Sequence, residues 1–321
     1  MPPPTTPGTA RSERESIDPG EVGVCSTRPS PPLETPVAGV DTLRLLYETH
    51  DHGERRFEIE DAGGWAFGSI PSLGLTWAEG HPLAGALGSS EDVEAAASRV
   101  RGLLDERFGV RTDRGVARSD QTVTTRFERP QEARAFLAGM ASAALPRCEV
   151  TRRGHPVHSV SWTHATGRRK LARCYDQGLE RGGEAWQLAR LEDQRRYPSG
   201  ARPPVGVVAD PAYLRGKFEA RFGPIRKAVE GVKAATFPVI AQTIADEFRF
   251  GYRDVREAER LAAALVLLSG GAGEGYRRST FYKRRAELRA AGFVVVEDSS
   301  EVVEVDLGAV VDQALDEAVW R

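Results

Sequence analysis

Apolar and polar positions recur with two different periods along this chain, and the switches between them predict its elements. From Val40, the segment VDTLRLLYET carries a strand-like apolar run, and FEIED and WAFGSI predict further short strands. Between Ser90 and Phe108 the period changes. Val93, Ala96, Val100, Leu103 and Leu104 fall on one helical stripe, with Ser90 as its N-cap. GVARSDQTVTTRFE then alternates as a strand, and ERPQEARAFLAGMASAA predicts a second helix with Pro130 in its first turn. PVHSVSWTH, RKLARCYD and WQLARLEDQ predict three more strands, separated by turns at Gly167 and at Arg181-Gly182-Gly183. This order predicts an α+β fold over residues 38–205, a mixed or antiparallel sheet with helices on one face.

From residue 206 to 321 the pattern is mostly helical, with breaks expected near Gly223-Pro224 and Gly251. REAERLAAALVLLSGG reads as a helix ended by Gly270 and Gly271. GEGYRRSTFYKRRAELRAAGF follows, a helix capped by Ser279 or Thr280 and closed by Gly292. FVVVEDSSEVVEVDL then predicts two short strands around Asp298-Ser299-Ser300. Helix, turn, basic helix, hairpin is the order of a winged helix-turn-helix. In the basic helix, Phe281, Leu288 and Ala291 are spaced to face a core. Arg278, Lys283, Arg284, Arg285 and Arg289 lie away from that stripe, where they suit a major groove, with Tyr282 at its edge. The acidic hairpin (Glu297, Asp298, Glu301, Glu304) is expected to brace the helix rather than touch DNA.

Composition narrows the class. Residues 1–37 are rich in Pro, Thr, Ser and Gly and predict a disordered tail. No run of apolar residues is long enough to span a bilayer, and the N-terminus has no apolar core of a secretory signal. Cys25, Cys148 and Cys174 have neither CxxC spacing nor an even count, which argues for a reducing compartment and a cytoplasmic protein. The net charge of −2 means that any nucleic-acid surface must be local. No GxxxxGK[ST] occurs, so any strand separation needs a separate helicase, such as one of the host.

Two strands carry candidate chemistry. Asp120 shares a strand face with Arg118 and Thr122, and Glu192 shares one with Arg190 and Gln194. Neighbouring strands would bring both acids and both arginines together, either as a metal site with phosphate clamps or as a structural ion-pair ladder. His158 is a candidate third ligand on a strand with His164, and imidazole suits Mn or Zn. Arg168, Arg169, Lys170 and Arg173 flank a turn near Trp162 and Tyr175. They are either a solvated face or cations interleaved with aromatics for single-stranded DNA.

Several segments, in order, carry a likeness to known proteins: Val40-Asp41-Thr42-Leu43-Arg44, His81-Pro82-Leu83-Ala84-Gly85, Arg118-Ser119-Asp120, Val160-Ser161-Trp162, Tyr175-Asp176-Gln177-Gly178-Leu179-Glu180, Arg190-Leu191-Glu192, and Thr280-Phe281-Tyr282-Lys283-Arg284-Arg285. In this the chain resembles the gene-two class of rolling-circle replication initiators of filamentous phages, and related plasmid Rep proteins. The resemblance implies an origin-binding, Mg- or Mn-dependent DNA nickase in which a tyrosine joins the 5′ phosphate and frees a 3′ hydroxyl. Arg118 and Arg190 would serve as phosphate clamps. Two departures stand out. Plasmid relatives place a tyrosine where this chain has Leu191, and the usual lysine of the Tyr-Asp-x-Gly element is Gln177. Tyr175 and Tyr197 remain as candidate nucleophiles. The alternative is a relative that binds DNA as a regulator without cleaving it.

Overall fold

A computed structural model describes residues 35–51, 53–59, 65–81, 93–154, 157–164, 170–180, 187–269, 278–296 and 303–320. Most of the expected Pro-rich tail lies outside them, as do Ser90, Gly167, the Arg181-Gly182-Gly183 turn, Gly270, Gly271 and the Asp298-Ser299-Ser300 turn. Among the described residues, no helix is long and apolar enough to cross a membrane.

In chain order the first half runs β1 (Val37–Thr49), β2 (Ala66–Ile70), β3 (Leu75–Gly80), α1 (Val93–Phe108), β4 (Val110–Arg126), α2 (Pro130–Met140), β5 (Cys148–Arg153), β6 (Ser159–His164), β7 (Lys170–Asp176), the single turn α3 (Gln177–Glu180) and β8 (Leu188–Arg196). The second half runs α4 (Val205–Ala209), α5 (Pro211–Val229), β9 (Lys233–Ala235), α6 (Phe237–Arg249), α7 (Val255–Ser269), α8 (Arg278–Ala290), β10 (Phe293–Val295), β11 (Glu304–Asp306), α9 (Leu307–Asp316) and β12 (Val319–Trp320). The first eight strands pair in the order β2-β3-β1-β4-β8-β7-β6-β5, every neighbour antiparallel, and β12 joins β1 in parallel. The fold is therefore α+β around a large antiparallel sheet. FEIED contributes a single bridge, Phe57 to Phe67, in place of a strand.

One face of this sheet is apolar and carries helices. Val123 of β4, Leu191 of β8, Cys174 of β7 and Trp162 of β6 pack with Phe136, Leu137 and Met140 of α2. Farther along, Leu43 and Leu45 of β1 and Val116 of β4 pack with Val100 and Leu104 of α1. Burial of each such side chain contributes about 1.5–3 kcal/mol. β1 keeps its apolar residues on this face only by changing phase. Ala38 and Val40 are buried there at even positions, and Leu43, Leu45 and Tyr47 at odd ones. The switch is a β-bulge. Val40 pairs with Gln121 and Thr42 with Asp120, which leaves Asp41 as the extra residue.

The second half departs from expectation in three places. α5 runs unbroken through Gly223-Pro224, because Leu214, Phe218, Phe222, Ile225 and Val229 form a continuous buried stripe whose packing outweighs one lost hydrogen bond. β10 and β11 do not form a hairpin. They lie on either side of β9, β10 parallel and β11 antiparallel to it. Lys233 on β9 ties to Glu304 on β11 at 2.6 Å, so this acid braces a sheet register. The expected division at 205/206 is crossed by one core, since Phe222 of α5 and Leu307, Val310 and Val311 of α9 cluster with α2. Ile240, Leu261, Leu265, Leu288 and Phe293, from α6, α7, α8 and β10, form a separate core.

Candidate functional site

On the sheet face away from the helices, polar side chains of five adjacent strands meet. Thr122 stands opposite Glu192, Thr124 opposite Arg190, Arg173 opposite Glu192 and Tyr175 opposite Arg190. Alternation therefore turns all of these side chains, with Arg118, Asp120 and Gln194, to one side. The bulge in β1 adds Asp41 and Thr42, and β3 adds Glu79. Sequence reasoning placed Asp120 and Glu192 together with Arg118 and Arg190, and the register brings these four to one face.

The contacts are short and mostly charged. Arg118 forks onto Asp120, its Nε donating to Oδ1 at 3.0 Å, and Gln194 Nε2 donates to Asp120 Oδ2 at 3.4 Å. Arg190 donates from Nη1 to Asp41 Oδ1 at 2.6 Å and from Nε to Thr124 Oγ1 at 3.2 Å. The Tyr175 hydroxyl donates to Glu192 Oε2 at 2.8 Å. Arg173 Nη1 lies 3.5 Å from Glu192 Oε1, and its guanidinium is 4.7 Å from the centre of the Tyr175 ring. Arg44 pairs with Glu79 at 2.5 Å and stacks on Trp77 at 4.9 Å. His81 Nδ1 sits 3.3 Å from Thr42 Oγ1 at the rim.

Burial sets the proton affinities here. Glu192 is 3 % exposed, and burial, followed by the nearby Asp120 charge, raises its carboxyl to about 7 against the opposing pull of Arg173 and Tyr175. Asp120 is likewise raised by burial, against the pull of Arg118. The Tyr175 hydroxyl is driven above the ordinary phenol value by burial and then by the Glu192 charge. A proton shared along Tyr175–Glu192 can therefore move near neutral pH only toward the carboxylate. That makes Glu192 the acceptor of the pair.

Other expected residues lie elsewhere. Tyr197 follows Arg195 and Leu191 in phase, so it belongs to the helix-bearing side, where its hydroxyl is 3.1 Å from Ser119 Oγ. It packs there against the α1 core. His158 precedes β6 beside Asp176, whose backbone N–H donates to the His158 carbonyl at 2.9 Å. It shares the phase of the core residues Val160 and Trp162, so it is not brought to Asp120 and Glu192. Trp162 is a core residue whose Nε1 donates to the Ala143 carbonyl at 2.8 Å, so it offers no base-stacking surface. Arg168 and Arg169 lie outside the described residues, as do the side chains of Lys170 and Arg278. Arg173 belongs to the polar face rather than to a basic hairpin. Asp41, Arg44, Trp77, Glu79 and His81 were not singled out as site residues. Asp41 carried the one usable signal, an acid interrupting an apolar strand.

Two ligands of a metal site, Asp120 and Glu192, share the face, yet among the described residues no three His, Cys, Asp or Glu side chains are grouped to hold an ion. Both acids are instead engaged by Arg118, Arg173 and Tyr175. These residues do not form a metal centre by themselves, and no chemical step below is routed through one.

The basic helix α8 keeps its expected stripe. Leu288 is buried, and Phe281 and Ala291 pack beside it. Tyr282, Lys283 and Arg285 are exposed, Arg285 stacking on Phe281 at 4.7 Å, whereas Arg284 is held by Glu287 at 2.7 Å. Compared with known proteins, the chain matches no family model, no curated sequence and no solved structure to a significant degree.

Proposed function

We propose that this protein is a DNA-binding initiator of the rolling-circle type that nicks one strand through Tyr175. The observation that carries the reading is the 2.8 Å hydrogen bond from the Tyr175 hydroxyl to Glu192, set among Arg118, Arg173 and Arg190. In this reading Glu192 takes the phenolic proton as the tyrosine oxygen attacks phosphorus. The P–O3′ bond breaks, the 5′ phosphate stays on Tyr175, and the proton passes to the departing 3′ oxygen. The arginines offset the charge that gathers on the phosphoryl oxygens. A cavity of about 690 Å³ lined by Arg44, Phe57, Trp65 and Trp77 adjoins Glu79 and suits stacked bases of a flanking single strand. The experiment is incubation with single-stranded origin DNA, with and without Mg or Mn, followed by peptide mapping. An adduct on Tyr175 is expected. An adduct on Tyr197 or on any other tyrosine overturns the assignment.

A second reading is a sequence-specific DNA-binding relative that does not cleave. Burial favours it: Tyr175 is 3 % exposed, and each arginine of the face already has a carboxylate partner. Absence of any adduct under either metal supports this reading. Both readings place duplex recognition on α8. Changing Lys283 and Arg285 together to Ala is expected to weaken duplex binding and to lower the slope of log affinity against log salt by roughly 2. Arg284, tied to Glu287, is expected to contribute less. An unchanged slope would show that this helix does not read DNA.

A further inference from the structure

Away from the polar face, a cavity of about 490 Å³ opens between α2 and α8. Its walls include Ala138 and Ala141 of α2, Leu288 of α8, and Val296. Four arginines line it, Arg134 from α2, Arg152 from the edge strand β5, and Arg285 and Arg289 from α8. No carboxylate lines it among the described residues. The volume is that of a small-molecule site, and apolar walls with a few converging charges are how such sites fix one end of a ligand.

Two of the arginines lack any counter-charge. Arg152 and Arg289 make no hydrogen bond or ion pair among the described residues. Burial, and then the Arg152 charge, lower the proton affinity of the Arg289 guanidinium. Like charges facing one half-buried space repel each other unless an anion sits between them.

We propose that this cavity binds a small amphiphilic organic anion, its apolar body against Leu288 and Val296 and its acidic head between Arg152 and Arg289. This site is independent of the nicking chemistry, since none of its residues belongs to the Tyr175 face.

The test uses two dyes on the full chain. Anilinonaphthalene sulfonate carries the aryl body and an anionic head, and N-phenylnaphthylamine carries the same body without the head. Fluorescence titration is expected to give saturable, stoichiometric binding of the sulfonate dye and weaker binding of the neutral one. Arg152→Ala with Arg289→Ala is expected to weaken sulfonate binding by roughly tenfold or more, because charge-assisted hydrogen bonds are lost, and to leave the neutral dye unchanged. Ala286→Trp, an exposed position at the mouth, is expected to remove both. The proposal is overturned if the wild-type protein shows no saturable sulfonate binding. It is also overturned if the double variant affects both dyes equally or neither, or if Ala286→Trp leaves both bound.

Discussion

Tyr175→Phe is expected to abolish covalent attachment to single-stranded DNA while leaving duplex affinity unchanged. The substitution removes one oxygen and keeps the ring, which Arg173 covers at 4.7 Å. The buried Glu192 then loses a donor but keeps Arg173 at 3.5 Å, so the stability cost is about 1–3 kcal/mol, too little to unfold the sheet. Tyr197→Phe is expected to retain attachment, because that hydroxyl faces Ser119 on the helix-bearing side. The two variants therefore separate the candidate nucleophiles in a single gel. Attachment that survives Tyr175→Phe would remove this tyrosine from the chemistry. The pH profile adds a second check. Glu192 accepts a proton only when ionised, so the rate is expected to rise about tenfold per pH unit below 7 and to level off above it.

Glu192 is also expected to make the protein less stable as pH rises. Its carboxyl lies at about 7 in the folded chain against 4.5 when exposed, so the folded state holds the proton more tightly. Between those values the native form binds more protons than the unfolded form, and stability falls with increasing pH. The fall begins near pH 4.5, is complete just above 7, and amounts to about 3 kcal/mol. Glu192→Gln keeps an acceptor for Tyr175 and removes the titration. Urea unfolding at pH 5 and pH 8 is expected to show wild type losing more stability than the variant across this interval. Parallel curves for the two proteins would mean that the carboxyl is not held protonated by burial.

The long elements were legible in the residue pattern because each buries a single face. The stripe Val93, Ala96, Val100 and Leu104 is buried as the spacing implied, and β4 alternates as read. Short strands were not legible. Lys233-Ala234-Ala235 has no period of its own and becomes β9 only because β10 and β11 pair on either side of it. Pro224 misled because a local rule was applied where a buried stripe of five side chains decides the outcome. Within the site, parity already separated the two tyrosines. Tyr197 lies an odd number of residues from Glu192, which turns it to the other face. The meeting of Tyr175 with Glu192 depends on strand register, with Arg173 opposite Glu192, and no local pattern specifies that.

The phase change at Asp41 divides mutations in β1 into two kinds that a substitution scan would not reveal. Exchanging Asp41 for another residue alters one side chain and leaves every neighbour on its face. Deleting Thr42 does something different. It would remove the spare residue that lets Ala38 and Val40 share a face with Leu43 and Leu45. Either half of the strand would then have to turn its apolar side chains toward the charged face and its polar ones into the core. Such a strand behaves like a reading frame. It tolerates changed letters but not a lost one, and the bulge is where its second half takes its phase.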